Sequence, residues 1–306
     1  MRVSTSATWS NALNNLMKAQ ERQNAANDRV STQKVATDLM GYGRSSEIIA
    51  AYQATLAKTS SYIAVNKSVA ERLNSQDLAL NTTSEGASNA KEAILNALAS
   101  NSGASLMETI QGAFSIALQG LNFEHHGQYL FAGGNDSQDP ITVGSLSELA
   151  QTDIDDVFAN GNVRKTSRID ASTTLRTGML ASELGGDMMQ LFKDIQEFNS
   201  GPDGPFGTQL TEAQKVFLTQ KSGQFSAVYD ELVEQTSLNG TLQKRVETSQ
   251  GALESQASSL NELIGSRTEA DMASAYTALQ QAQVSVQASA QVLSDLQSSS
   301  LLNLLR

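Results

Sequence analysis

The sequence predicts a mainly α fold: a long antiparallel helical bundle or coiled coil from both termini, with a small α+β domain inserted in the middle. Three observations predict it. Helix breakers are concentrated centrally. The three prolines are Pro140, Pro202 and Pro205, and counting along the chain places 11 of the 21 glycines between Gly127 and Gly207. Pro and Gly interrupt helices, so the flanks, residues 1–128 and 209–306, are free to run as long helices. Those flanks repeat seam residues at alternating steps of three and four, the spacing of a coiled coil. Aromatics make up only 5% of a chain that is 40% hydrophobic. The apolar inventory is mostly Ala and Leu among many Ser, Asn, Gln and Thr, which suits helices packed at close range rather than a compact enzyme core.

The elements follow in order. A first helix carries the series Trp9, Leu13, Leu16, Gln20, Gln23, Asn27 and Val30. Gly41-Tyr42-Gly43 breaks it from a second helix, whose series runs Ile49, Tyr52, Leu56, Thr59, Ile63, Asn66, Ala70 and Leu73. Asn101-Ser102-Gly103 is a turn signal, and Leu106, Ile110, Phe114, Ala117 and Leu121 mark a third helix after it. Strand signals occur only in the middle, at Lys165–Ile169 and Thr173–Thr177, which are short, β-branched and bounded by turn residues. Met188–Phe198 reads as a helix and Gly201–Pro205 as a loop. The C-terminal flank holds two series. One is Phe225, Val228, Leu232, Gln235, Asn239, Leu242, Val246, Ser249, Leu253, Gln256 and Leu260. The other is Met272, Tyr276, Leu279, Gln283, Val286, Ala290, Leu293, Gln297, Ser300 and Leu304, with a break near Gly265-Ser266 between them. This gives a terminal coiled-coil domain (1–44 plus 266–306), a helical bundle domain (45–131 plus 209–265) and an inserted outer α+β domain (132–208).

Many seam positions are polar. A self-sufficient coiled coil would place Leu, Ile or Val at most of them, so these seams leave contacts for other chains to complete. The expected assembly interface is therefore Trp9, Leu13, Leu16 and Val30 at one end and Met272, Tyr276, Leu279, Val286, Leu293 and Leu304 at the other.

Catalytic and metal chemistry find little to work with. The chain has no cysteine, so thiolate and disulfide chemistry are excluded. His125-His126 is the only histidine pair; read as neighbours on a helix they point about 100° apart and do not share a metal. Gly133-Gly134 lacks the Lys-Ser/Thr of a phosphate loop and reads as a turn. Asp153, Asp155 and Asp156 read as a solvated loop without the calcium-loop pattern. No catalytic motif is present. The expectation is a structural protein, not an enzyme, with no cofactor and no metal. A net charge of −11 argues against nucleic acid or an anionic membrane as main partner. Met1–Met17 contains no apolar core of signal-peptide length and no stretch approaches a membrane span. These rules give a cytoplasmic protein unless export uses a route that reads no cleaved signal.

Three stretches resemble the bacterial flagellin family, and within it the hook-associated subunits of the hook–filament junction. They are Met1–Ser6 with the Asn/Gln-rich Leu13–Ser31, the phrase Gly127-Gln-Tyr-Leu-Phe-Ala-Gly133, and the C-terminal run from Leu279 to Leu305. The ends resemble the whole family; the internal phrase resembles the junction subunit, while Leu304-Leu305-Arg306 is flagellin-like. Thr37–Arg44 departs from the family's usual stretch after the first helix. Ala90–Leu95 replaces the arginine-bearing stretch by which some flagellins engage a Toll-like receptor, so no such recognition is expected. The resemblance implies a structural subunit joining hook to filament, or alternatively flagellin itself. It implies unprocessed export by the flagellar type III apparatus and an extracellular place in the flagellum. Its implied partners are copies of itself, flagellin, hook-associated proteins and a flagellar export chaperone. An intracellular coiled-coil scaffold is the rival from another class.

Overall fold

The computed structural model describes the backbone of residues 2–304 and the side chains of residues 6–298. Among them are seven α-helices and two small two-stranded sheets: α1 Arg2–Thr32, α2 Ser46–Ser100, α3 Leu106–Leu121, β1 Glu124–His125, β2 Gln128–Tyr129, α4 Leu146–Gln151, β3 Thr166–Arg168, β4 Thr174–Arg176, α5 Ala181–Ser200, α6 Glu212–Thr268 and α7 Met272–Leu304. The chain divides into two compact units, one of residues 1–58 with 255–306 and one of residues 59–254.

The 59–254 unit holds the large core. Phe114 of α3, Phe192 of α5 and Phe225 of α6 meet edge to face, with ring centroids 5.4 and 5.2 Å apart. Helices α2 and α3 approach at glycine. A Cβ on Gly120 would lie 2.3 Å from Thr83 Oγ1, and one on Gly86 would lie 2.7 Å from the Ala117 nitrogen. The Asn101–Gly103 turn before α3 has Asn101 at φ +52. Helix α6 starts with a reciprocal cap: the Gln214 amide donates to Thr211 Oγ1 at 3.2 Å, and the Thr211 amide donates to Gln214 Oε1 at 3.1 Å.

The α6 seam read from the sequence is buried or half-buried from Phe225 to Leu260 except at Gln256, and the α2 series from Ile49 to Leu73 behaves likewise. Its polar members make cross-helix bonds. Asn239 Nδ2 and Gln243 Nε2 both donate to the Leu73 carbonyl, at 2.9 and 3.1 Å. Asn66 Nδ2 donates to the Ile169 carbonyl at 3.1 Å. Ile169 and Leu175, from the β3–β4 arm, complete a small cluster with Val69, Leu73 and Val246, so the arm lies back on the helices rather than standing free.

Four local expectations change. His125 and His126 are not helical: they form part of the β1–β2 hairpin, whose turn residues His126 and Gly127 have φ +52 and +74, and whose strands are too short to show alternation. Helix α6 passes through Gly265-Ser266 and ends at Thr268, because one glycine costs only about 1 kcal/mol inside a long helix. Helix α5 begins at Ala181 rather than near Met188; Gly185 belongs to its packed face, where a Cβ would meet Leu121 Cδ1 at 2.6 Å. The first helix ends at Thr32, before Gly41-Tyr42-Gly43, which falls in a short 3-10 turn, Met40–Ser45.

Candidate assembly interface

In the 1–58/255–306 unit, α1 and α7 pack on each other. Arg22 to Arg29 share one groove with Ala278 to Ser285, while Arg29 shares another with Ala270 to Ala278. Rising numbers on α1 thus meet falling numbers on α7, and the pair is antiparallel. Beyond the helix ends the pairing continues through backbone bonds. Val35 donates to the Thr268 carbonyl and Ala270 to the Gln33 carbonyl, each at 2.9 Å. Helix α7 is capped by Asp271, whose carboxylate accepts from Ser274 Oγ and the Ala273 amide, both at 3.0 Å. These bonds, Ser274 foremost, hold that carboxyl below its ordinary value.

The seam between α1 and α7 is built on alanine. Ala12, Ala19 and Ala26, spaced by seven, are buried on α1, and Ala275 and Ala282 are buried on α7. Leu16, Gln23 and Val30 on α1, and Met272, Leu279, Val286 and Leu293 on α7, are half-buried on the same faces. The heptad is real, but half of it is displaced by one residue from the sequence reading. Leu13, Gln20 and Asn27 give way to Ala12, Ala19 and Ala26, and Tyr276 and Gln283 give way to Ala275 and Ala282. A methyl side chain lets helix backbones approach to the short end of the 8–10 Å range, which a Leu or Tyr at the same position would prevent.

Leu13 and Tyr276, displaced from the seam, and other large apolar residues stand partly outside. Trp9 is 38% exposed, Leu13 43% and Met17 52%; at i, i+4 and i+8 they form one stripe along α1. On α7, Tyr276 at 56%, Val284 at 64% and Val292 at 53% are exposed too; each is turned about 80° from the one before, so they spread round the outer surface. Of the ten residues expected to form an interface, the structure brings Leu16, Val30, Met272, Leu279, Val286 and Leu293 to the intrachain seam and leaves Trp9, Leu13 and Tyr276 facing out. The side chain of Leu304 lies outside the described residues. Sequence reasoning did not single out Met17, Val284 and Val292. The signal that finds them is a large apolar residue outside the heptad positions taken by alanine.

Charge is divided unequally. The 1–58/255–306 unit has 9 Lys/Arg and 8 Asp/Glu, a net +1; the 59–254 unit has 12 and 24, a net −12; the two make the chain's −11. Near-neutral surfaces pack side by side without mutual repulsion, whereas strongly acidic ones keep copies apart and solvated. The acidic Asp153, Asp155 and Asp156 lie on an exposed 3-10 turn or beside it. Among the described residues, no group of three or more His, Asp or Glu is placed to hold a metal ion, and no helix is long and apolar enough to cross a membrane.

Residues 226–305 match the family described as the bacterial flagellin C-terminal helical region. No curated protein matches the chain by sequence. Among solved structures, the fold is similar to that of a protein from Vibrio parahaemolyticus described as a candidate flagellar hook-associated protein. The TM-score is 0.60 at 11% identity, over 76% of this chain and 99% of that one. It is also similar to FlgL of Bacillus cereus, with a TM-score of 0.54 at 16% identity, over 70% of this chain and 97% of that one. Residues 226–305 thus resemble a flagellin C-terminal helical region, and the chain shares its fold with two solved flagellar proteins.

Proposed function

We propose that this protein is an extracellular structural subunit of the bacterial flagellum that joins hook to filament, and that copies assemble through the outer faces of α1 and α7. The observation that carries the reading is one of extent: the fold similarity takes in 97–99% of two flagellar structures, one described as hook-associated. The uncovered Trp9, Leu13 and Met17 on α1 and the exposed Tyr276, Val284 and Val292 on α7 supply the contact surface. Trp9, Leu13 and Tyr276 act there directly, and Leu16, Val30, Met272, Leu279, Val286 and Leu293 act by holding the helix pair together. Flagellin and hook-associated proteins are the proposed neighbours. An export chaperone that covers α7 before assembly is the proposed intracellular partner, with passage through the flagellar type III apparatus. A specific observation favours a second reading, flagellin itself: the match of residues 226–305 to the flagellin C-terminal region.

The two readings differ in axial contacts. A filament subunit bonds to identical copies in an open repeating contact, while a junction subunit meets a different protein on at least one side. Deleting the gene separates them. Loss of a junction subunit leaves hooks without filaments and releases flagellin into the medium. Loss of a filament subunit leaves no free flagellin from this gene, and filaments of any other flagellin remain attached. Seeded growth of long filaments from the purified chain alone would overturn the junction reading.

A further inference from the structure

The chain's only two histidines stand together at the β1–β2 hairpin of the 59–254 unit. His125 Nδ1 lies 2.9 Å from Ser75 Oγ on α2. One turn earlier on α2, Arg72 donates to the Leu130 carbonyl, just past β2, at 3.2 Å. Two side-chain bonds therefore fasten the hairpin to the helix. The two imidazoles stand perpendicular with ring centroids 4.2 Å apart. A cleft of about 490 Å3 opens beside them, with Glu71, Gln128 and Ser167 on its walls, so water reaches the hydrogen-bonded side chains.

The charged groups around His125 are unfavourable to a cation there. Arg72 comes from α2 and His126 from the turn; Glu71, also on α2, opposes them. Burial first, then His126 and Arg72, hold His125 below the ordinary imidazole value, with Glu71 only partly offsetting them. On the far side of the hairpin, Lys165 pairs with Asp136 and donates to Gln128. Lys165 holds the Asp136 carboxyl below its ordinary range, so Asp136 stays anionic where imidazoles titrate. Tyr129, on β2, has its hydroxyl pushed up by Asp139 and Glu124 and stays neutral there too.

We propose that the β1–β2 hairpin is an acid-released latch, held on α2 by the neutral His125 and loosened when that imidazole becomes a cation beside His126 and Arg72. The sign follows from linkage. An imidazole harder to protonate when latched than when free leaves the latch fully closed above the free value of about 6.5 and weakens it as pH falls below that value. Each unit of difference between latched and free pKa multiplies the open population about tenfold. The opening is local, because Phe131 and Ala132, directly after the Arg72-bonded Leu130, are fully buried in the core and anchor the end of the strap.

The test uses the full-length chain in solution, where two histidines give two resolvable imidazole signals by NMR. The His125 signal should titrate below 6.5. The amides of Leu130 and Tyr129, which donate to the Phe123 and Asp136 carbonyls at 3.0 Å each, should lose protection against hydrogen exchange between pH 7.5 and 5.5 after correction for intrinsic rates. His125→Gln should abolish that pH dependence, and His126→Gln should move the His125 titration upward by removing a neighbouring cation. Ser75→Ala, which leaves the imidazole in place, should raise Leu130 exchange already at pH 7.5. Titration of His125 at or above 6.5, or the same pH-dependent exchange in His125→Gln, would overturn the latch.

Discussion

Val284→Asp on the outer surface of α7 separates the stability of the chain from its assembly. Val284 is 64% exposed in the single chain, so about two-thirds of the ~1.5–3 kcal/mol obtained by burying a Val side chain is still available to a neighbour, or about 1–2 kcal/mol per contact. The substitution removes that term and adds the desolvation of a carboxylate with no partner, at least a further few kcal/mol. A combined loss of about 3 kcal/mol or more corresponds to a fall of more than about 100-fold in the association constant. In the monomer the same change is a surface substitution between two residues of similar helix propensity, worth within about 0.5 kcal/mol. Two assays are paired: thermal unfolding of the monomer by circular dichroism, and incorporation of tagged protein into flagella. The expected result is an unchanged melting curve with no incorporation. Incorporation of Val284→Asp at the wild-type concentration would refute the claim that this position faces a neighbour. A matching fall in monomer stability would refute its placement outside the seam.

Two further predictions address the scaffold. Ala19→Leu forces an isobutyl group into the α1–α7 seam and should destabilise the terminal helix pair by about 1–3 kcal/mol. Its measure is accelerated limited proteolysis of the two ends, with the Phe114–Phe192–Phe225 core unaffected by near-ultraviolet circular dichroism. Asp170, at the β3–β4 turn, accepts from the Ser172 and Thr173 amides at 2.7 Å each, and these bonds, the Ser172 amide first, pull its pKa down to about 2. The turn should therefore be fully stabilised above about pH 4 and loosen as pH falls from there towards about 2. Hydrogen exchange at Ile169, whose amide donates to the Thr173 carbonyl at 3.0 Å, should show that loss in the wild type and be flat across the window in Asp170→Ala.

What was legible in the sequence follows from the physics of each pattern. The bounds of α3 were readable because Asn101-Ser102-Gly103 is a strong turn signal and the stretch after it is strongly amphipathic. The α6 seam was readable because its buried positions are mostly Leu, Val and Phe, and the α2 series because Ile49, Leu56, Ile63 and Leu73 mark its period, with the polar members Asn66 and Asn239 falling on the same spacing. The α1 and α7 seams were half readable. A search for large apolar residues at steps of three and four finds Leu13 and Tyr276. Close antiparallel packing instead selects the neighbouring Ala12 and Ala275, and a methyl group gives little hydrophobic signal. The β1–β2 hairpin was not readable as a sheet, since two residues per strand show no alternation. His126-Gly127 was a possible turn, but an apolar-rich helix ran directly up to it. The histidine contacts with Ser75 and Arg72 required the fold, because 50 residues separate His125 from Ser75.

The one-residue displacement has a functional meaning that neither helix shows alone. If the largest apolar residues of α1 and α7 filled their own seam, the pair would be self-sufficient and its outside would be polar. Instead alanines take the fully buried positions, Leu16, Val30, Met272, Leu279, Val286 and Leu293 are only half-buried beside them, and Trp9, Leu13, Met17, Tyr276, Val284 and Val292 are left more exposed. Burying a large apolar side chain is worth about 1.5–3 kcal/mol and an alanine methyl well under half of that, so on these helices a sizeable part of the available hydrophobic free energy is left for another chain. The charge division points the same way. The unit that carries these exposed residues is net +1, while the other carries −12, so attraction between copies is concentrated at the terminal helices and repulsion elsewhere. A chain arranged in this manner resists random aggregation through its acidic part while keeping its terminal helices available for a specific neighbour. The exposed apolar residues of α1 and α7 are therefore where substitutions should change assembly most and folding least.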